Sequence, residues 1–136
     1  MNAIAKRVYD KGDRRVKHVH SEPTPAIVQI GNNPKLVIGK CPHGMSGQLL
    51  AELINEAIPV ANAQSELTFP KRLYVVHDGA IYEAQTSDQG KSYHGYPYSG
   101  KLPSNMINEL HEMAIRKGCS AAFDKWVGKY IERHGR

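Results

Sequence analysis

Cysteine is scarce in this chain: Cys41 and Cys119 are the two in 136 residues. That excludes a disulfide-built scaffold and makes a reducing, cytoplasmic setting the expectation. No apolar run approaches the ~20 residues that a membrane span requires, so no membrane partner is expected. The first residues carry Lys6 and Arg7 where a secretory signal would carry an apolar segment. There is no repeat and no low-complexity tract, which removes collagen, coiled coil and wholly disordered chains. Tryptophan and phenylalanine are rare as well, with one Trp and two Phe against seven Tyr. The aromatic surface of this protein is therefore a matter of its tyrosines.

What is present is ordinary for a globular domain: 40% hydrophobic and 23% charged residues. A chain of this length buries roughly two-thirds of its unfolded surface, so it needs neither disulfide nor metal to fold. The net charge is +5, and it is unevenly placed. Residues 1–20 hold six basic side chains (Lys6, Arg7, Lys11, Arg14, Arg15, Lys17) against Asp10 and Asp13. A basic segment of this kind attracts polyanions such as nucleic acid. We therefore divide the chain into a basic N-terminal segment, 1–20, strand or arm, and a single α+β domain, 21–136.

Periodicity sketches that domain. Ala26 to Ile30 and Leu36 to Ile38 are branched, strand-like runs joined by the Gly31-Asn-Asn-Pro34 turn. Leu49, Leu50, Leu53, Ile54, Ala57 and Ile58 recur at helical spacing, and Pro59 marks the expected end. The clearest local signal is Arg72 to His77, Asp78-Gly79, then Ala80 to Ala84. Asp-Gly is the preferred pair for a type I′ turn, so this is a two-residue β-hairpin. A third strand is expected at Ser92 to Tyr96, closed by Pro97. Two helices follow, the first starting near Pro103 or Ser104, with Met106, Ile107, Leu110, Met113 and Ala114 as its apolar stripe, and stopping at Gly118. The second is expected over 121–133, with Phe123, Trp126, Val127, Tyr130 and Ile131 as its apolar stripe and Lys125, Lys129 and Arg133 along another face. Segregated strands and helices predict an α+β fold with a mostly antiparallel sheet and about three helices.

The hairpin turn sets register, and register sets faces. His77 should pair with Ala80, Val76 with Ile81, Val75 with Tyr82, Tyr74 with Glu83 and Leu73 with Ala84. One face then carries Leu73, Val75 and Tyr82 and is the expected core face. The other is mixed, with Arg72, Tyr74 and Glu83 close together and His94 joining them if the third strand continues the meander. Glu83 as general base, His94 as general acid and Arg72 as the cation beside a phosphorane are the parts that metal-independent RNA cleavage needs. Tyr74, Tyr93, Tyr96 and Tyr98 are candidate stacking rings, and Arg14, Arg15, Lys17 and Lys91 candidate phosphate contacts. The leading expectation is a small basic domain that binds RNA or another polyanion, with cleavage as its catalytic form. The alternative is a non-enzymatic module that contacts a protein partner through the Tyr-rich segment 92–100 and the hairpin.

Other constellations are weaker. Gly39 to Gly47 links a strand to a helix but lacks the phosphate-loop order. Cys41 with His43 lacks a third partner for nucleophilic catalysis. Cys41, His43, His111 and Cys119 do not have a standard zinc spacing, and His18 and His20 are two imidazoles on one strand face. Neither a metal nor a cofactor is expected.

Overall fold

The structure is a computed structural model and describes residues 7, 25–29, 37–40, 47–60, 70–86, 88 and 90–134. Among these the fold is α+β. β1 (Ala26–Gln29) and β2 (Val37–Lys40) form an antiparallel pair, as the branched runs predict. After them come α1 (Gly47–Glu56), β3 (Ile58–Pro59), β4 (Arg72–His77), β5 (Ala80–Gln85) and β6 (His94–Pro97). The last four strands make an antiparallel sheet in the order β3-β4-β5-β6. β7 (Gly100–Pro103), α2 (Ser104–Arg116), α3 (Ser120–Tyr130) and β8 (Ile131–His134) complete the order.

The β4–β5 hairpin has the expected register, from Arg72↔Gln85 to His77↔Ala80. Asp78 and Gly79 both have positive φ, 50° and 87°, as a type I′ turn demands. Gly79 is also required by packing: a Cβ there would stand 2.4 Å from Ala122 Cβ on α3. The turn is thus pressed against the last helix.

Three elements differ from the periodicity. The first helix stops at Glu56, because Ile58 and Pro59 are taken up as an edge strand against Tyr74 and Leu73. Proline is tolerated at such an edge, and it disfavours helix in the residue before it. β7 was not foreshadowed by any apolar run. The last helix ends at Tyr130, and Ile131 leads into β8, which pairs with β7 in parallel. Arg133 therefore does not extend the line of Lys125 and Lys129.

α2 follows its pattern closely. Met106, Ile107, Leu110, Met113 and Ala114 are buried on one face. Its end is a Schellman motif: Gly118 has φ 74°, its N–H donates to Ile115 O at 3.1 Å, and Cys119 N–H donates to Ala114 O at 2.9 Å. The helix lies over the edge of β4, where Val76 N–H reaches Met113 Sδ at 3.4 Å.

The hairpin is buried on both faces, which corrects the expectation of one core face and one mixed surface. Leu73, Val75 and Tyr82 are buried on the first; Tyr74, Val76, Ile81 and Glu83 are buried on the second. Helices pack on β4 and β5, and at the open end of the second face Arg72 remains exposed.

Arg7 is the one described residue of segment 1–20, and it is anchored. Its Nη1 donates to Ile54 O at 2.9 Å and to Ala57 O at 2.8 Å. Asn55 clasps its backbone, accepting from Arg7 N–H at 2.7 Å and donating to Arg7 O at 3.0 Å. The guanidinium thereby satisfies carbonyls at the end of α1 that the helix leaves open. Arg7 thus ties the N-terminal segment to the end of α1.

Candidate functional site

The second face of the sheet gathers the residues singled out from the sequence into two cross-strand rows. The outer row is Arg72↔Gln85↔His94 and the inner row is Tyr74↔Glu83↔Tyr96. β6 starts at His94, two residues later than expected, and continues the meander through Pro97, which pairs with Tyr82. Arg72, Glu83 and His94 therefore do share a face. Their environments differ sharply. Arg72 and His94 are exposed, whereas Glu83 is 4% exposed.

The Glu83 carboxylate is saturated. Tyr74 OH donates to Oε2, Tyr96 OH donates to Oε1, and Gln85 Nε2 donates to Oε1 at 2.9 Å. Gln85 Nε2 also donates to the Tyr96 hydroxyl oxygen at 2.5 Å. Burial, and then the hydrogen bond to Glu83 and its negative charge, raise the Tyr74 and Tyr96 phenols well above the ordinary phenol range; the nearby Arg72 charge opposes this. Both phenols thus stay protonated donors under ordinary conditions. A base in metal-independent cleavage needs an oxygen within reach of a substrate hydroxyl. Here both oxygens point into the protein and are already occupied.

The tyrosines of segment 92–100 are turned inward to different degrees. Tyr93 is 2% exposed, with its OH on Pro70 O at 2.7 Å, so its ring offers no face to a base. Tyr74 is buried too. Tyr96 is half-buried in the Glu83 network. Tyr98 packs edge-on against Tyr74, ring centroids 5.3 Å apart, and its OH donates to Lys101 O at 2.9 Å. Tyr96 and Tyr98 are thus the partly exposed rings of the segment. Lys91 is exposed beside a turn organised by Asp88, whose carboxylate accepts from Ser92 N–H, Ser92 OH and Thr86 OH at 2.6–2.9 Å. Those hydrogen bonds hold the Asp88 carboxyl down at about 2.

The aromatic surface lies one step further along the packing, on α3. Trp126 Nε1 donates to Tyr98 O at 3.0 Å, and the Trp126 and Tyr130 rings sit 4.4 Å apart. Lys129 Nζ stands 5.2 Å from the Tyr130 centroid. Of the stripe assigned to this helix, Phe123 alone is fully buried within it, while Trp126 and Tyr130 are half-exposed. Sequence periodicity assigns both rings to the core stripe, and Trp126 does pack against the core with part of its surface left open. The signal that separates them was the adjoining Lys125 and Lys129, both exposed.

A concavity of about 240 Å³ opens at the other end of the hairpin between α1, the turn and the α2–α3 junction. Lys117 there bonds Glu56 and Val76 O, so its charge is spent within the fold. Cys119 is a free, half-buried thiol on its wall. His111 faces Asp124 at 3.6 Å rather than a thiol. Among the described residues no group of three or more His, Cys, Asp or Glu side chains is arranged to hold a metal. Arg14, Arg15, Lys17, His18, His20, Cys41 and His43 lie outside the described residues.

Compared with protein-family models, curated proteins and solved structures, the chain matches none.

Proposed function

We propose that this protein binds single-stranded nucleic acid and does not cleave it. The observation that carries the reading is a short line of half-exposed rings on α3, Trp126 and Tyr130, with Lys129 Nζ over Tyr130 and the exposed Lys125 beside Trp126. Half-exposed rings between cations suit unpaired bases, which stack on aromatics while their phosphates meet Lys and Arg. A duplex keeps its bases stacked inside and has no use for such rings. The occupied, buried Glu83 supports binding over catalysis.

Trp126 is the chain's one tryptophan, so its fluorescence reports on this line directly. Titration with a uridine decamer at low salt should quench it. The affinity should fall with salt along a log–log slope of about −2 to −3, as a few released counterions require. Absence of both binding and quenching at low salt would overturn the proposal. So would cleavage of the RNA that disappears in both Glu83→Gln and His94→Ala, since that result would restore the nuclease reading.

A further inference from the structure

We infer that the site on α3 is short, closed at both ends, and takes about two nucleotides of a single strand; this rests on the single-strand reading above. The platform is set before any ligand arrives. Trp126 Nε1 donates to Tyr98 O at 3.0 Å, so the indole's one polar atom is spent inside the protein and the bond holds the ring in place. The Tyr130 ring lies against it, with centroids 4.4 Å apart and planes 55° from parallel. A base inserted between two rings needs two stacking steps of about 3.4 Å each. The gap is too small for that, and the planes diverge. The pair therefore offers its outer faces to bases and does not clamp a strand between its rings.

The cations follow the same stretch of helix. Lys125 and Lys129 are both exposed and stand one turn apart, about 6 Å along the axis. Lys129 Nζ is 5.2 Å from the Tyr130 centroid. That rise is close to one nucleotide step of an extended strand. Adjacent phosphates can thus meet adjacent lysines while a base lies on the rings.

Both ends of the line are closed. Ala122 precedes Trp126 by one turn, and the hairpin turn is pressed against it: a Cβ on Gly79 would stand 2.4 Å from Ala122 Cβ. The neighbouring Asp78 holds its carboxylate out in solvent. At the other end the helix stops at Tyr130, and β8 brings the exposed Glu132, in register with Lys101 on β7. Glu132 offsets Lys101, so the strip gains no net cation there. From Ala122 to Tyr130 the helix runs about 12 Å. A phosphate chain continuing past either end meets a carboxylate, and like charges repel. Among the described residues the complementary surface ends there.

A uridine dinucleotide phosphorylated at both ends is the deciding probe. It is titrated beside the uridine decamer at one salt concentration and read by Trp126 quenching. Once the overlapping registers of the decamer are divided out, the two should bind with affinities within about threefold of each other. Lys129→Gln should weaken both by the same factor. Asp78→Asn combined with Glu132→Gln opens both ends. Both side chains are exposed, and Asn suits the positive φ of residue 78, so the fold is kept. In that variant the decamer should gain about threefold or more over the dinucleotide. A wild-type decamer that quenches Trp126 with a per-register affinity more than about tenfold above the dinucleotide's overturns this inference and leaves the binding proposal standing. An unchanged decamer-to-dinucleotide ratio in the double variant does the same. Failure of the decamer to bind overturns the binding proposal itself.

Discussion

The two neighbouring rows of the sheet differ by one step along each strand and behave as different materials. In the inner row, Tyr74, Glu83 and Tyr96 close every hydrogen bond among themselves and Gln85. In the outer row, Arg72 and His94 stand in solvent. The same strands build both, so strand identity does not distinguish them. What does is the cover supplied by the packed helices and by Tyr98. A carboxyl group at the inner level is accommodated because three donors meet it, since a buried polar group without partners is strongly unfavourable. At the outer level water solvates charge, and exposed side chains are free to act on a ligand. On this face the carboxylate lies a layer below the imidazole and the guanidinium.

Substitutions ordered by size test this contrast. Glu83→Ala removes the hub and strands three donors, and we expect a loss of about 3–5 kcal/mol in urea unfolding. A loss below about 1 kcal/mol would mean that water reaches the inner row. Alkaline pH attacks the same row from the phenols. Their pKa values are raised in the folded state relative to the unfolded chain, so the unfolded state sheds its protons first. The stabilisation is fully present below about pH 10 and is lost as pH rises beyond it, at about 1.4 kcal/mol per pH unit for each phenol. The combined Tyr74→Phe, Tyr96→Phe variant should flatten that decline; an unchanged decline would place its origin elsewhere.

Tyr74→Phe alone leaves Glu83 Oε2 without its donor, and about 1–3 kcal/mol should be lost. Spectroscopic melting that shifts by less than this predicts would show that another group takes over the oxygen. The outer row should give the smallest changes in stability. Arg72→Ala and His94→Ala should each stay within about 0.5 kcal/mol of the parent. A large stability loss in either variant would merge the two rows and end the distinction.

Much of this arrangement was legible before the coordinates. Asp78-Gly79 between two alternating runs prescribes a two-residue turn, and that turn alone sets which residues oppose one another across β4 and β5. Placing Arg72, Tyr74 and Glu83 on one face followed, and His94 joined them because a meander is the short connection. The stripe of α2 read correctly because its apolar residues and its Gly118 stop agree. The short strands were less legible. Ile58–Pro59 continues the helical spacing of α1, and Ile131–His134 continues that of α3, yet each joins a neighbouring strand edge whose position periodicity does not encode. Trp126 and Tyr130 fit a core stripe by spacing, and only the place of α3 beside Tyr98 leaves them half-exposed.

Local chemistry by itself thus determined the hairpin, its register, the membership of each face and the α+β class, because turn geometry and period-two alternation act over a few residues and need no tertiary partner. The tertiary structure decided which rows are dry. Depth depends on what packs over a strand from far along the chain: here α2 and α3 on the hairpin, Tyr98 on Tyr74, and Arg7 drawn onto the end of α1 by carbonyls 47 and 50 positions away. Burial is what separates Glu83 from the exposed Arg72 and His94, because a carboxyl group taken out of water needs donors close by, and Tyr74, Tyr96 and Gln85 supply them.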